Sequence, residues 1–271
     1  MQIKWVVITA QSVLKLPRCY NHFEMIEKKN HKKLAIFDID GTLYRWQLYY
    51  EVVFQLLENN FFDESQTQKI KKVFHGWQSR EVDFHVFESI AIPALESKLS
   101  SLTVPVFESI VDDILNDSQH KIYSYTRNLA SELKEKGYFL LAISGSMQEI
   151  VEPFSKRYGF DDCIGWLYEK NDHKFTGRTL RQTVGRKAKI LQDYIQLHGM
   201  SLTGSIGIGD STSDIEMLEL VDDPIAFNPN EQLLAAAEEN GWKIVIERKN
   251  IAYTLQKDND GSIVLAQADR L

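Results

Sequence analysis

The chain has 271 residues, 44% of them hydrophobic and 25% charged, with a formal charge of −7. That is the composition of a globular protein long enough to bury a core, and it excludes disordered, collagen-like and low-complexity chains. The acidic balance argues against nucleic acid as a partner, and two cysteines without a CxxC spacing exclude a disulfide scaffold and a cysteine-rich zinc site. No apolar run approaches the ~18 residues of a membrane span. The expectation is a cytoplasmic protein with no membrane partner.

Residues 1–33 do not read as part of the fold. Met25 opens a lysine-rich stretch just before the first strong strand, so residues 1–24 are expected to be an upstream extension. Leu34-Ala35-Ile36-Phe37 is a short all-apolar run, the pattern of a strand buried on both faces of a parallel sheet. From Trp46 to Gln119 the apolar residues recur at helical spacing, for example Val52, Val53, Leu56 and Leu57, then Ile70, Val73, Phe74 and Trp77. Pro93 and Pro105 punctuate this stretch, which predicts about four helices.

Strands and helices then alternate. Helices are predicted over 127–136, 148–158, 187–198, 215–221 and 232–240, with Gly137 closing the first of them. Strands are predicted over 139–143, 163–168, 206–208, 224–227 and 243–246. Asn259-Asp260-Gly261 lies between weakly apolar flanks and suggests a hairpin in the tail. The alternation predicts a doubly wound α/β sheet with an inserted α-helical cap. The expected division is a core of residues 34–44 and 120–249, a cap of residues 45–119, and a tail of residues 250–271.

In such a sheet ligands bind beyond the carboxyl ends of the strands. The polar residues at those ends are Asp38 and Asp40, Ser144, and Asp210 with Asp214, while Lys187 opens a helix. Four carboxylates at one point repel each other unless a cation sits among them. Hard oxygen donors without histidine or cysteine favour Mg²⁺. With a lysine and a hydroxyl beside it, such an ion makes a site for phosphoryl chemistry. A calcium-binding EF-hand loop is excluded, because the fifth and twelfth positions from Asp38 hold Thr42 and Tyr49. Ser144 lacks the Gly-x-Ser-x-Gly setting of a serine-hydrolase nucleophile.

Asp38-Ile39-Asp40-Gly41-Thr42 resembles the first motif of the haloacid dehalogenase superfamily in its phosphatase form. Ser144-Gly145-Ser146 resembles the second motif, Lys187 the third, and Gly209-Asp210-Ser211-Thr212-Ser213-Asp214 the fourth. The long interval between the first two motifs is similar to that of phosphoserine phosphatase-like members, whose helical cap lies there.

The resemblance implies that Asp38 is the nucleophile that forms an aspartyl-phosphate, and that Asp40 is the general acid and base. It implies Mg²⁺ held by Asp38, the Asp40 carbonyl and Asp210, with Asp214 as a further anchor, and phosphate held by Thr42, Ser144 and Lys187. The implied substrate is a small phosphorylated metabolite. A phosphotransferase using the same intermediate and a catalytically inactive binding protein are the alternatives. Tyr44, Arg45 and Gln47 follow the first motif directly and are candidates to face the substrate. Gln47 stands where the resembled enzymes carry a glutamate, and Ser146 where they usually carry a second glycine, so the chemistry transfers further than the specificity.

Overall fold

A computed structural model describes residues 32–271. The upstream extension expected over residues 1–24 lies outside the described residues.

Nine strands form one sheet in the order β4-β3-β2-β1-β5-β6-β7-β8-β9. They are β1 (Leu34–Phe37), β2 (Phe139–Met147), β3 (Asp162–Asn171), β4 (Lys174–Arg181), β5 (Ile206–Gly209), β6 (Asp223–Phe227), β7 (Lys243–Arg248), β8 (Ile251–Lys257) and β9 (Ile263–Arg270). The six strands from β3 to β7 pair in parallel, and the additions at both edges, β4 on one side and β8 with β9 on the other, are antiparallel. Ile36 is in register with Leu141 on one side and Gly207 on the other.

Alternate residues of the parallel strands enter two separate apolar clusters. Ala35, Phe37, Leu140, Ala142, Phe227 and Val245 belong to one, and Leu34, Ile36, Leu141, Ile143, Ala226 and Ile244 to the other. This two-sided burial is why these strands read as unbroken apolar runs. The first cluster is covered by α1 (Leu48–Glu58), α2 (Glu64–Gln78), α3 (Phe84–Leu99), α4 (Val104–Asp117), α5 (Ser124–Glu135) and α6 (Gln148–Arg157). The second is covered by α7 (Lys187–His198), the single turn α8 (Ile215–Leu218) and α9 (Glu231–Asn240). The architecture is a mostly parallel sheet with helices on both faces, as the alternating pattern predicts.

Three local features differ from expectation. Pro93 does not end a helix but lies inside α3. The carbonyl it leaves without a helical partner belongs to Ser89, which is exposed to water, while Ala91, Leu95 and Leu99 anchor the helix on the buried side. Strand β2 runs past Ile143 to Met147, which pairs with Trp166 across a register shift, so Ser144 lies inside the strand rather than after it. The residues after 250 do form a hairpin, but its two strands continue the sheet from β7.

The chain leaves β1 for β2 on one side and returns to β5 on the other. That reversal opens a crevice at the carboxyl ends of β1 and β5, the position where doubly wound sheets bind ligands.

Candidate active site

Asp38 and Asp40 follow β1, and Asp210 follows β5, so the reversal of strand order brings them to one crevice. Asp38 N donates to Ile208 O at 2.9 Å, which ties the loop after β1 to β5. The N–H groups of Thr42, Leu43 and Tyr44 all donate to Ile39 O, curling the loop tightly. Gly41 crosses Asp210 in this turn with φ of +87°.

Lys187, the first residue of α7, is buried and bonds two carboxylates at once. Its Nζ donates to Asp38 Oδ1 at 2.5 Å and to Asp214 Oδ1 at 2.6 Å. Burial works against the ammonium, but the two carboxylates overcome it and hold Lys187 above its ordinary range. The other Asp214 oxygen accepts from Asp210 N, Ser211 N and Ser211 Oγ, at 3.1–3.2 Å. Asp214 therefore fixes both the lysine and the loop that carries Asp210. Ser211 also caps the 3-10 turn of Thr212–Asp214.

Oxygens of Asp38, Asp210 and Asp214 lie within 4.8 Å of one another. Burial pushes Asp38 up to about 7, against the pull of Lys187. Burial, followed by the charges of Asp38 and Asp214, raises Asp210 well above the usual carboxylate range. Three carboxylates share one ammonium here, so the cluster holds more anions than cations. The donor set fits a hard cation, since it is all oxygen. The missing side chain of Gly41 leaves open the space beside Asp210 that a Cβ would fill.

The Asp40 carboxylate stands apart from that trio. Its Oδ1 accepts from Leu48 N at 2.6 Å and its Oδ2 from Ser144 Oγ at 2.5 Å. Burial raises its proton affinity, with the bonds from Ser144, Leu48 and Ser146 opposing. Thr42 is fully buried, and its hydroxyl lies 3.4 Å from Asp210 Oδ1. Asp38, Lys187, Asp210, Asp214 and Thr42 are thus linked through direct bonds and the carboxylate cluster, and Asp40 with Ser144 forms a second bonded set beside them.

Two of the three candidates that follow the first motif are engaged elsewhere. The Tyr44 ring is buried edge-on to Phe154, and its hydroxyl donates to Glu51 Oε1 at 2.7 Å. Arg45 donates through Nη2 to Glu247 Oε1 at 2.6 Å and through Nε to Ile122 O at 2.8 Å. Arg45 turns away toward a buried carboxylate and a carbonyl from distant parts of the chain, whereas the Tyr44 hydroxyl is taken by Glu51, a neighbour in sequence on α1. Gln47 is the half-buried N-cap of α1. Ser146 and the N–H groups of Leu48 and Tyr49 join the site without having been singled out as site groups. The only sequence signal for them was the serine in Ser144-Gly145-Ser146.

No helix among the described residues is long and apolar enough to cross a membrane. Comparison with known proteins gives a consistent picture. A phosphoserine phosphatase of Mycobacterium tuberculosis is 29% identical over 156 residues, which is 57% of this chain and 50% of that protein. A histidinol-phosphatase of Neisseria meningitidis is 26% identical over 229 residues, covering 79% of this chain and 98% of that protein. The chain spans about half the length of the mycobacterial relatives it matches. A solved phospho-aspartyl intermediate analogue of phosphoserine phosphatase shares the fold, with a TM-score of 0.54 and 21% identity over 80% of this chain and 94% of that one. Residues 35–219, from β1 past the Asp210–Asp214 loop, match the haloacid dehalogenase-like hydrolases, and the chain belongs to that family.

Proposed function

We propose that the chain is a Mg²⁺-dependent phosphatase that hydrolyses a small phosphomonoester through an aspartyl-phosphate on Asp38. The observation that carries this reading is the Lys187 ammonium bonded to both Asp38 and Asp214, with an Asp210 oxygen within 4.8 Å of theirs. A buried lysine among three carboxylates supplies one positive charge, and a divalent cation completes the balance so that a phosphate dianion is attracted.

In this reading Mg²⁺ is held by Asp38, Asp210 and the Asp40 carbonyl, with Asp214 as the further anchor. The ion supplies charge neutralisation for the phosphate oxygens. Thr42, Ser144 and Lys187 hold the phosphate. An Asp38 oxygen bonds to phosphorus as the ester P–O bond breaks, and the Asp40 proton passes to the departing alkoxide. Asp40 then takes a proton from the water that attacks phosphorus, which frees phosphate and restores Asp38. The proton affinity that burial gives Asp40 suits it to both tasks.

Residues 45–119 act as a cap over the core of residues 34–44 and 120–249. This division is supported by the paired crossings at its base, where Arg45 N donates to Lys121 O and Tyr123 N to Leu43 O. A cap that opens and closes admits ester and then excludes water.

The test is phosphate release from a panel of phosphorylated metabolites with Mg²⁺, including phosphoserine and histidinol phosphate, the esters that the relatives' names indicate. Turnover that disappears with EDTA and in Asp38→Asn is the expected result. Turnover that survives complete metal removal, or Asp38→Asn, overturns the mechanism.

A further inference from the structure

Helix α1 starts with N–H groups that its own N-cap leaves open, because Gln47 makes no side-chain bond to them. Groups from outside the helix take them instead. Leu48 N donates to Asp40 Oδ1 at 2.6 Å, and Tyr49 N donates to Ser146 Oγ at 2.8 Å. Ser146 N in turn donates to Ser144 Oγ at 2.9 Å, and Ser144 Oγ donates to Asp40 Oδ2 at 2.5 Å. Asp40, Leu48, Tyr49, Ser146 and Ser144 form a closed circuit between the loop after β1, the start of α1 and strand β2. Ser146 is only 1% exposed, so water does not replace it as the partner of Tyr49 N.

We infer that Ser146 is a positioning residue for the acid step, seating the start of α1 so that Leu48 N holds the Asp40 carboxylate in place. The inference rests on the phosphatase reading above, in which Asp40 protonates the leaving oxygen. Removing the Ser146 hydroxyl leaves the buried Tyr49 N–H without an acceptor. The first turn of α1 then shifts to find one and draws Leu48 N off Asp40. A helix start that belongs to the cap thereby becomes part of the acid's geometry.

The test compares two esters of similar size that differ in how much the leaving oxygen needs a proton. p-Nitrophenolate departs without one, whereas phenolate is more basic and gains from protonation. The value of kcat/KM for p-nitrophenyl phosphate and for phenyl phosphate is measured with Mg²⁺ on the full chain, on Ser146→Ala and on Ser146→Thr. Ser146→Ala is expected to lose about fivefold more on phenyl phosphate than on p-nitrophenyl phosphate, a fraction of the usual general-acid contribution. Ser146→Thr, which keeps the hydroxyl, is expected to restore the ratio. Should Ser146→Ala not fold, Ser146→Cys, with similar volume and a weaker acceptor, is expected to shift the same ratio in the same direction.

An equal fractional loss on both esters means that Ser146 merely caps a helix, and it overturns the inference. So does an unchanged ratio. Activity of the unmodified chain that Asp38→Asn abolishes shows that the phosphatase reading stands, and the ratio then decides the role of Ser146 alone. An unmodified chain that turns over neither these esters nor any phosphorylated metabolite of the panel overturns both.

Discussion

Gly41 passes so close to Asp210 that a methyl group built on it would stand 2.1 Å from Asp210 Oδ2. Its φ of +87° is also one that a residue with a side chain rarely adopts. The turn after the nucleophile is therefore glycine for two independent reasons, backbone conformation and room for the carboxylate across the crevice. Gly41→Ala is expected to destabilise the fold by more than about 1 kcal/mol. Because it also pushes Asp210 out of the carboxylate trio, it should weaken Mg²⁺ about 10–100-fold, as changes beside a metal ligand do. Urea unfolding without metal reads the first effect, and a Mg²⁺ titration of activity reads the second.

Lys187 is buried between Asp38 and Asp214. Lys187→Met keeps most of the volume and leaves two buried carboxylates facing each other. Breaking a buried pair in this way costs about 3–5 kcal/mol. The loss should be largest near pH 8, where Asp38 is charged, and smaller near pH 5, where Asp38 takes up a proton. Added Mg²⁺ should return part of the stability, while phosphatase activity stays lost because the phosphate has lost its lysine. Urea midpoints at the two pH values, with and without Mg²⁺, check this.

The metal-free chain should grow less stable as pH rises from about 5 to 8. Asp38 has its folded proton affinity pushed up to about 7 from an ordinary 3.8. Between those values the folded state binds more protons than the unfolded one, so unfolding free energy falls as pH increases. The stabilisation is fully present below the unfolded value and is lost as pH passes the folded one. Asp40 and Asp210 shift in the same direction and reinforce the trend. Mg²⁺ should reverse it, since the ion competes with protons for the same oxygens. Melting curves across this range decide the point: a metal-free Tm that climbs with pH would contradict the electrostatics of the cluster.

Much of this arrangement was legible because it is local. Leu34-Ala35-Ile36-Phe37 ends in Asp-Ile-Asp-Gly-Thr within a few residues, so strand and carboxylates are read together. The same holds for Ile206–Gly209 and Asp210. What was not legible depends on partners far along the chain. Helix α5 starts at Ser124, earlier than its apolar spacing predicts, because Glu247 accepts from the N–H groups of Ser124 and Tyr125. The tail reads as weakly apolar because β9 is an edge strand with most residues exposed, yet its pairing with β8 places it in the sheet. The direction of a side chain on the loop after β1 likewise depends on what waits for it across the fold.

Arg45 illustrates that last point and yields a prediction of its own. Its side chain is 39% exposed and the Glu247 side chain only 2%. Glu247 accepts from Arg45 Nη2 at 2.6 Å, from Ser124 N at 3.2 Å and from Tyr125 N at 2.9 Å, while the guanidinium lies over the Tyr123 ring. The pair fastens the first residue after the catalytic turn to the end of β7 and caps α5 at the same time. Glu247→Ala removes the acceptor for two helix-start N–H groups and for the guanidinium, and should cost about 2–3 kcal/mol. Arg45→Ala should cost less, because water reaches the arginine and the carboxylate keeps its two backbone donors. Neither change removes a group that touches phosphate, so KM should stay close to that of the unmodified chain. A large rise in KM in Arg45→Ala, with stability unchanged, would mean instead that the arginine leaves Glu247 to meet the substrate when the cap closes.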